Sequence, residues 1–575
     1  MTNTTNLKTI PSSVLCDFYK ITHRLFYPEG TTEIYSTWTP RSSKYFPVKT
    51  DYAVAFGFQM FVKKYLIEYF DTNFFSRTEE EVVSEYEYVI ENTLGGTVDS
   101  SHIKALHKLG YLPLEIKAVP EGLLVPIKVP TLTINNTRPE FYWLTNYLET
   151  LMSSELWLPS NSATIANKYK ADLEGWALFT TGSSEGVEWQ GHDFSFRGMQ
   201  GLNSSVSSGL GHLLSFKGTD NIPAIVGAEV YYNTKLSNEL VGSSVPATEH
   251  SIMSSFGKDE VKAFDTIIDR VPTGIVSIVS DTYDFWGVMT DVLPTLKNKI
   301  MNRDGKVVIR PDSGNPIDII CGTTPITLNL NPHYIEGKNS VTDYPELILD
   351  AIKTSEKGQR HPTAHMVKSG ANILLGNDVY VVMWERNGNG EFNIKLSEAV
   401  KKEESPRNKG AIRLLWETFG GTITEKGYRL LDSHIGLLYG DAITLDRANE
   451  ICERLANNGF ASTNVVFGIG SFTYTFVTRD SLGYALKATY AKINGVETFI
   501  QKDPKTDTAN LKKSLTGKVA VVIDKDSEEI KVIDHLTDEQ EKNYQHNLLR
   551  TIFKDGKLYN EVTLRDVKDN LRMMM

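Results

Sequence analysis

The chain has 575 residues, 41% of them hydrophobic, 10% aromatic and 23% charged, with a formal net charge of −11. That length corresponds to about two to four domains, and the apolar fraction supplies a large core, which excludes a disordered or fibrous chain. The acidic balance speaks against a general nucleic-acid binder, which needs a basic field to offset phosphates.

The first ten residues, Met1 to Ile10, lack the apolar core of a secretory signal, and no stretch approaches the length that spans a bilayer. A cytoplasmic protein without membrane partners is the expectation. Cys16, Cys321 and Cys452 are too few and too scattered for a disulfide framework or zinc site, and read as buried small hydrophobes.

Residues 113–134 set Pro113, Pro120, Gly122, Pro126 and Pro130 between short apolar runs, which predicts irregular β structure. His192-Asp-Phe-Ser-Phe-Arg-Gly198 mixes aromatic and cationic side chains. It could stack a flat heterocycle while the arginine holds an anion, or be a core phenylalanine beside an incidental ion pair. Ser244 to Ser251 places His250 after Glu249 in a small-residue loop. That histidine could be a nucleophile, an acid–base group, an anion ligand or a structural residue.

From Ile275 onward one pattern recurs. Ile275–Val279 runs into Ser280-Asp281, and Lys306–Ile309 into Arg310-Pro-Asp312-Ser313-Gly314. Ile435–Tyr439 runs into Gly440-Asp441, and Asn464–Phe467 into Gly468-Ile-Gly470-Ser471. Continuous apolar runs of this length fit parallel strands covered on both faces. Asp446–Asn457 is a helix with Ala448, Ile451, Leu455 and Ala456 on one face and Gly459 as its stop. Strand, polar loop, helix and strand make an α/β signature, with a barrel preferred to a doubly wound sheet.

Residues 322–409 stand apart. They hold a helix near 344–354 and a hairpin (Val379–Trp384, Glu391–Leu396) turning on Asn387–Gly390, and close on the charged stretch Lys401–Lys409. This block reads as an insertion between barrel strands. Residues 518–533 form a second hairpin around Asp524–Ser527.

The polar strand ends carry the chemistry. Gly470-Ser471 can present backbone N–H groups to a phosphate, with Arg479 as counter-charge, although glycine-rich turns after strands are common. Arg310 offers bidentate donors to phosphate, and Asp312 can meet sugar hydroxyls or a magnesium water; a structural Arg–Asp pair is the alternative. No Ser/His/Asp order, HExxH or Walker pattern is present.

Taken together, these motifs resemble the nicotinamide phosphoribosyltransferases, a type II phosphoribosyltransferase family. The matching stretches are Asp17–His23, Leu114–Gly122, Tyr142–Asn146, His192–Gly198, Phe216–Asp220, Ser244–His250, Val279–Asp284, Ile309–Pro316, Tyr439–Asp441, Thr478–Asp480 and Lys502–Pro504. The resemblance implies an irregular (β/α) barrel over 161–480, with 322–409 inserted in it. It pairs that barrel with a mixed α+β domain built from 1–160 and 481–575. It implies a homodimer with shared active sites, magnesium, and ATP coupled through a phosphohistidine at His250. The implied reaction joins nicotinamide to phosphoribosyl pyrophosphate, giving nicotinamide mononucleotide and pyrophosphate.

Carried over by position, Phe194 and a partner-supplied Tyr19 would sandwich the nicotinamide ring, and Asp220 would accept from its carboxamide. Arg197, His250 and Arg310 would meet pyrophosphate. Asp312 would sit by the ribose with Asp281, Ser277 and Ser313 nearby. Gly440, Asp441, Gly470, Ser471 and Arg479 would form the ribose and 5′-phosphate pocket. Lys487, Lys502 and Lys512 would add positive charge, Lys512 with the least secure alignment. Ser471 and Phe472 replace consecutive glycines, and Phe196 replaces a tyrosine. A nicotinate-specific transferase and a non-catalytic protein on the same fold are the alternative readings; Asp220 opposes the first, because it would repel the nicotinate carboxylate.

Overall fold

The computed structural model describes residues 7–94, 98–323, 405–440, 443–501 and 515–573, and the backbone of 326–327, 369–375, 378–386 and 392–396. It divides into two compact units. One comprises Met1–Asp172, Gly186–Ser244 and Gly468–Met575; the other comprises Leu173–Glu185 and Val245–Phe467.

In the first unit a seven-stranded sheet runs in the order Val496–Phe499, Ala485–Ile493, Thr31–Thr39, Leu132–Asn136, Leu114–Ala118, Arg550–Lys554, Lys557–Leu558. Every neighbouring pair is antiparallel. Thr31–Thr39 is rich in β-branched and aromatic residues, which suit a pleated, covered surface. Its Trp38 is fully buried and stacks on Tyr484 at 5.0 Å between ring centroids. The Pro/Gly-punctuated stretch 113–134 is β structure, with Leu114–Ala118, Leu124–Pro126 and the strand Leu132–Asn136 beginning inside it. The hairpin over 518–533 is present as Lys518–Ile523 paired with Ile530–Leu536.

Residues Gly186–Ser244, which the family resemblance placed in the barrel, group instead with the chain ends. The reason is a shared core. Leu210 and Leu213 of helix Leu202–Leu213, and Ala224, Ala228 and Tyr232 of helix Ile222–Tyr232, bury against Val54, Phe56, Met60, Leu564, Val567 and Leu571. Burial of apolar area, at about 25 cal/mol per Å², outweighs sequence adjacency to the later strands.

The second unit holds the parallel strands that the apolar runs predict. Thr273–Val279 pairs with Asp304–Arg310, that strand with Ile435–Tyr439, and that one with the strand beginning at Val465. The helix expected at 446–457 spans Leu445–Asn457, and the Thr444 hydroxyl accepts from Arg447 N–H at its start. Its buried face is Leu445, Ala448, Ile451, Cys452 and Leu455. Cys452, four residues past Ala448, takes the place the sequence pattern gave to Ala456, which is only half-buried.

Of the block 322–409, the described strands Ser369–Leu375, Asp378–Arg386 and Phe392–Leu396 pair antiparallel in sequence order, so the expected hairpin strands are there. Its turn at 387–390 and the helix expected near 344–354 lie outside the described residues. The charged stretch expected to close the block is, from residue 406, the first turn of helix Pro406–Phe419: Ser405 caps it and Pro406 occupies its first position. The two ends of the block meet. A Cβ on Gly322 would stand 2.2 Å from Asn408 O, and one on Gly410 would stand 2.2 Å from Gly322 N. Both glycines have positive φ, which a side chain would oppose further.

Candidate active site

Parallel register brings the strand ends of the second unit side by side. Val279 lies opposite Arg310, and Gly440 N–H donates to Pro311 O at 3.3 Å. Asp281 ties this edge together. Its Oδ2 accepts from Asp312 N–H and Ser313 N–H at 2.8 Å each, and from Ser313 O–H at 2.5 Å. Three donors on one oxygen fix the Arg310–Ser313 turn.

His250 opens the short helix His250–Ser254. Its Nδ1 is 3.0 Å from Thr282 Oγ1, and its Nε2 is 3.8 Å from both Asp281 Oδ1 and Asp312 Oδ2. The imidazole is therefore oriented by a hydroxyl at one nitrogen and faces two carboxylates with the other, while half its side chain remains open to solvent. Arg310 donates through Nη2 to Thr248 O at 2.5 Å, and its Nε stands 3.8 Å from Asp312 Oδ1. Backbone closeness is part of the design: a Cβ on Gly440 would come within 2.2 Å of Asp312 Oδ1. Ser277 Oγ, Asp281 Oδ1 and Arg310 Nε are buried without a hydrogen-bond partner among the described residues. Leaving such groups unsatisfied is costly, so a ligand or water that paired them would stabilise this edge.

A second cluster lies in the first unit. The parallel pair Gly191–Asp193 and Gly218–Thr219 sets His192 opposite Gly218. His192 Nε2 lies 2.9 Å from Asp220 Oδ1, and Ser244 Oγ donates to the same oxygen at 2.5 Å. Phe194 N–H donates to Ile469 O at 3.0 Å, and the Phe194 ring is 4.6 Å from that of His192. Arg197 is exposed on the turn Phe196–Gly198. Gly470 caps the short helix Ser471–Thr475, whose Ser471 side chain fills the space beside Gly198.

Arg479 is paired with Asp480 at 3.1 Å. Arg41, which the sequence reading missed, lies next to it: its guanidinium donates to Gly483 O at 2.7 Å and is pushed down by burial and by the Arg479 charge. Its signal was available, since Pro40-Arg41-Ser42 ends strand Thr31–Thr39 in the same abrupt manner as the other site segments. Lys487 and Lys20 both approach Glu149, and Lys20 lies over the ring of Tyr19, which also packs on His23. Asp441, Lys502 and Lys512 lie outside the described residues.

Both clusters lie in segments that match a known sequence profile. The nicotinate phosphoribosyltransferase (NAPRTase) family profile matches residues 189–346 and 378–557. The chain belongs to this family. It is 41% identical over 571 residues to a protein of Acinetobacter baylyi named nicotinamide phosphoribosyltransferase, covering 97% of this chain and 96% of that one. A protein of the same name from Mycoplasma pneumoniae is 29% identical, covering 88% of this chain and 94% of that one. Among solved structures, human nicotinic acid phosphoribosyltransferase aligns with a TM-score of 0.47 at 14% identity, over 98% of this chain and 93% of that chain. Among the described residues no helix is long and apolar enough to cross a membrane.

Proposed function

We propose that this phosphoribosyltransferase joins nicotinamide to phosphoribosyl pyrophosphate, forming nicotinamide mononucleotide and pyrophosphate. The observation that carries the choice of nicotinamide is Asp220. Its carboxylate is held by His192 and Ser244 in a cluster that also presents Phe194. A fixed carboxylate accepts from a carboxamide N–H and repels a carboxylate, so it selects the amide over the acid.

Nicotinamide's ring nitrogen already has a free lone pair, so no base is needed. The barrier lies in breaking the C1′–pyrophosphate bond, which leaves positive charge on the sugar and negative charge on the leaving group. Arg310, Arg197 and His250 would stabilise the leaving pyrophosphate, and Asp312 the sugar. Ser277 and Ser313 would bind around the ribose, with Gly440 allowing close approach. Gly470, Ser471 and Arg479 would hold the 5′-phosphate, and Lys487 would add positive charge. Magnesium, held through pyrophosphate and water, would neutralise developing charge; the buried Asp281 Oδ1 lacks a hydrogen-bond partner among the described residues and so suits a water of that ion.

ATP coupling would run through phosphorylation of His250, whose side chain is half exposed and whose Nε2 faces Asp281 and Asp312. The parallel strands would belong to an irregular (β/α) barrel. A homodimer would let Tyr19 of one protomer cover the nicotinamide ring of the other, in a cytoplasmic NAD salvage enzyme. Product analysis with nicotinamide and nicotinate offered together tests the reading: nicotinamide mononucleotide should dominate, and preferential nicotinate use would overturn it.

A further inference from the structure

The short helix Ser471–Thr475 is held on two sides. On one, Ser471 packs against Gly198, and Thr475 Oγ1 approaches Gly198 O at 3.5 Å and the Met199 sulfur at 3.3 Å. On the other, Tyr474 turns inward and is fully buried, with its hydroxyl 2.7 Å from Nδ1 of His212. His212 is equally buried on helix Leu202–Leu213, and its Nε2 lies 3.0 Å from Gly218 O.

A carbonyl can only accept, so Nε2 carries the proton, Nδ1 is the acceptor and Tyr474 is the donor. Burial pushes His212 down and Tyr474 up, so both groups stay neutral and the direction of both bonds is fixed. Gly218 belongs to the two-residue strand that leads directly into Asp220 and pairs with His192. One imidazole thus spans from the helix after Gly470 to the strand that carries Asp220. Neither residue reaches the solvent side of the site, so their effect must pass through the segments they hold.

We propose that His212 and Tyr474 are positioning residues that couple the 5′-phosphate loop to the nicotinamide-recognition strand, so that filling one subsite orders the other. This rests on the phosphoribosyl-transfer reading above. The test is Y474F, assayed for nicotinamide mononucleotide formation over a matrix of nicotinamide and phosphoribosyl pyrophosphate concentrations.

In the wild type, saturating either substrate should lower the apparent KM for the other. In Y474F, the KM for phosphoribosyl pyrophosphate should rise about three- to tenfold and that mutual effect should vanish, with kcat within about twofold. Tyr232→Phe is the control. Tyr232 is just as buried, and its hydroxyl donates to Glu121 Oε2 at 2.8 Å, so its loss should lower Tm and leave both KM values alone. A Y474F enzyme with lowered Tm but unchanged KM values and unchanged mutual dependence would overturn the proposal. If Y474F does not fold, H212Q, whose amide NH2 can reach Gly218 O but which has no acceptor at the position of the imidazole Nδ1, gives the same readout. A wild type that forms no mononucleotide would instead overturn the functional reading itself.

Discussion

Asp220→Asn tests the proposed selection of the amide. Asp220 Oδ1 receives both His192 Nε2 (2.9 Å) and Ser244 Oγ (2.5 Å), and an asparagine oxygen can take the same two bonds. The side chain can therefore keep its place while its other terminal atom changes from acceptor to donor. A carboxylate about 4 Å from a bound nicotinate costs about 4 kcal/mol at an effective dielectric of about 20. The Asp220 side chain is 45% exposed, and solvent screening cuts that term to about 1–2 kcal/mol. Loss of the bond from the carboxamide contributes about 1 kcal/mol more. The kcat/KM ratio of nicotinamide to nicotinate should then fall by about 30- to 150-fold, at about 1.36 kcal/mol per decade. Chromatographic quantification of both mononucleotides from competing substrates measures that ratio, and the KM for phosphoribosyl pyrophosphate should stay within about twofold. A ratio that does not move, or an equal loss for all three substrates, would refute the role given to Asp220.

His250→Ala should abolish stimulation by ATP while basal mononucleotide synthesis persists; stimulation that survives would exclude His250 as the phosphorylated group. Lys568, on helix Leu564–Met573, is only 8% exposed, and burial pushes its ammonium down to about 8. The unfolded chain, with a lysine pKa of about 10.4, binds the extra proton between the two values, so wild-type stability should rise as pH rises through that window. The charged lysine costs about 3 kcal/mol at neutral pH, so Lys568→Met should raise Tm by about 3–5 °C at pH 7 and by less near pH 10; a pH-independent difference in thermal melts would count against it. Replacing 324–404 with a short Gly/Ser linker should leave Tm within a few degrees and transfer activity intact, because Gly322 and Gly410 already meet; a chain that loses its cooperative melt would show that the block supports the unit.

Much of the second unit was legible because its strands are covered on both faces. A continuous apolar run such as Ile435–Tyr439 suits a strand buried on both sides better than a half-exposed one, which would alternate with polar residues. The polar residues that end such runs had to gather at one edge once the strands ran parallel. Helix Leu445–Asn457 showed its face by spacing, and only the exchange of Ala456 for Cys452 escaped. What the sequence concealed depends on distant partners. Tyr474 and His212 are 262 residues apart, and nothing local to either announces the bond. The grouping of Gly186–Ser244 with the chain ends follows from a core that includes Val567 and Phe56, which no period within 186–244 reveals. Pro406, amid charged residues, reads as a loop until Ser405 is seen to cap the turn. Arg41 had a local signal in Pro40-Arg41-Ser42, but the charge beside it, Arg479, comes from the other end of the chain.

The contact between Gly198 and Ser471 constrains how this sequence can change. A Cβ at position 198 would lie 2.0 Å from Ser471 Oγ, so the serine and the missing side chain occupy one volume. Gly198→Ala should therefore be tolerated only in a background where Ser471 has already become glycine, and that order cannot be reversed without passing through an impaired enzyme. The two positions form a ratchet: once serine is installed at 471, the glycine at 198 is entrenched, and the loop's substitutions accumulate as a path with a direction.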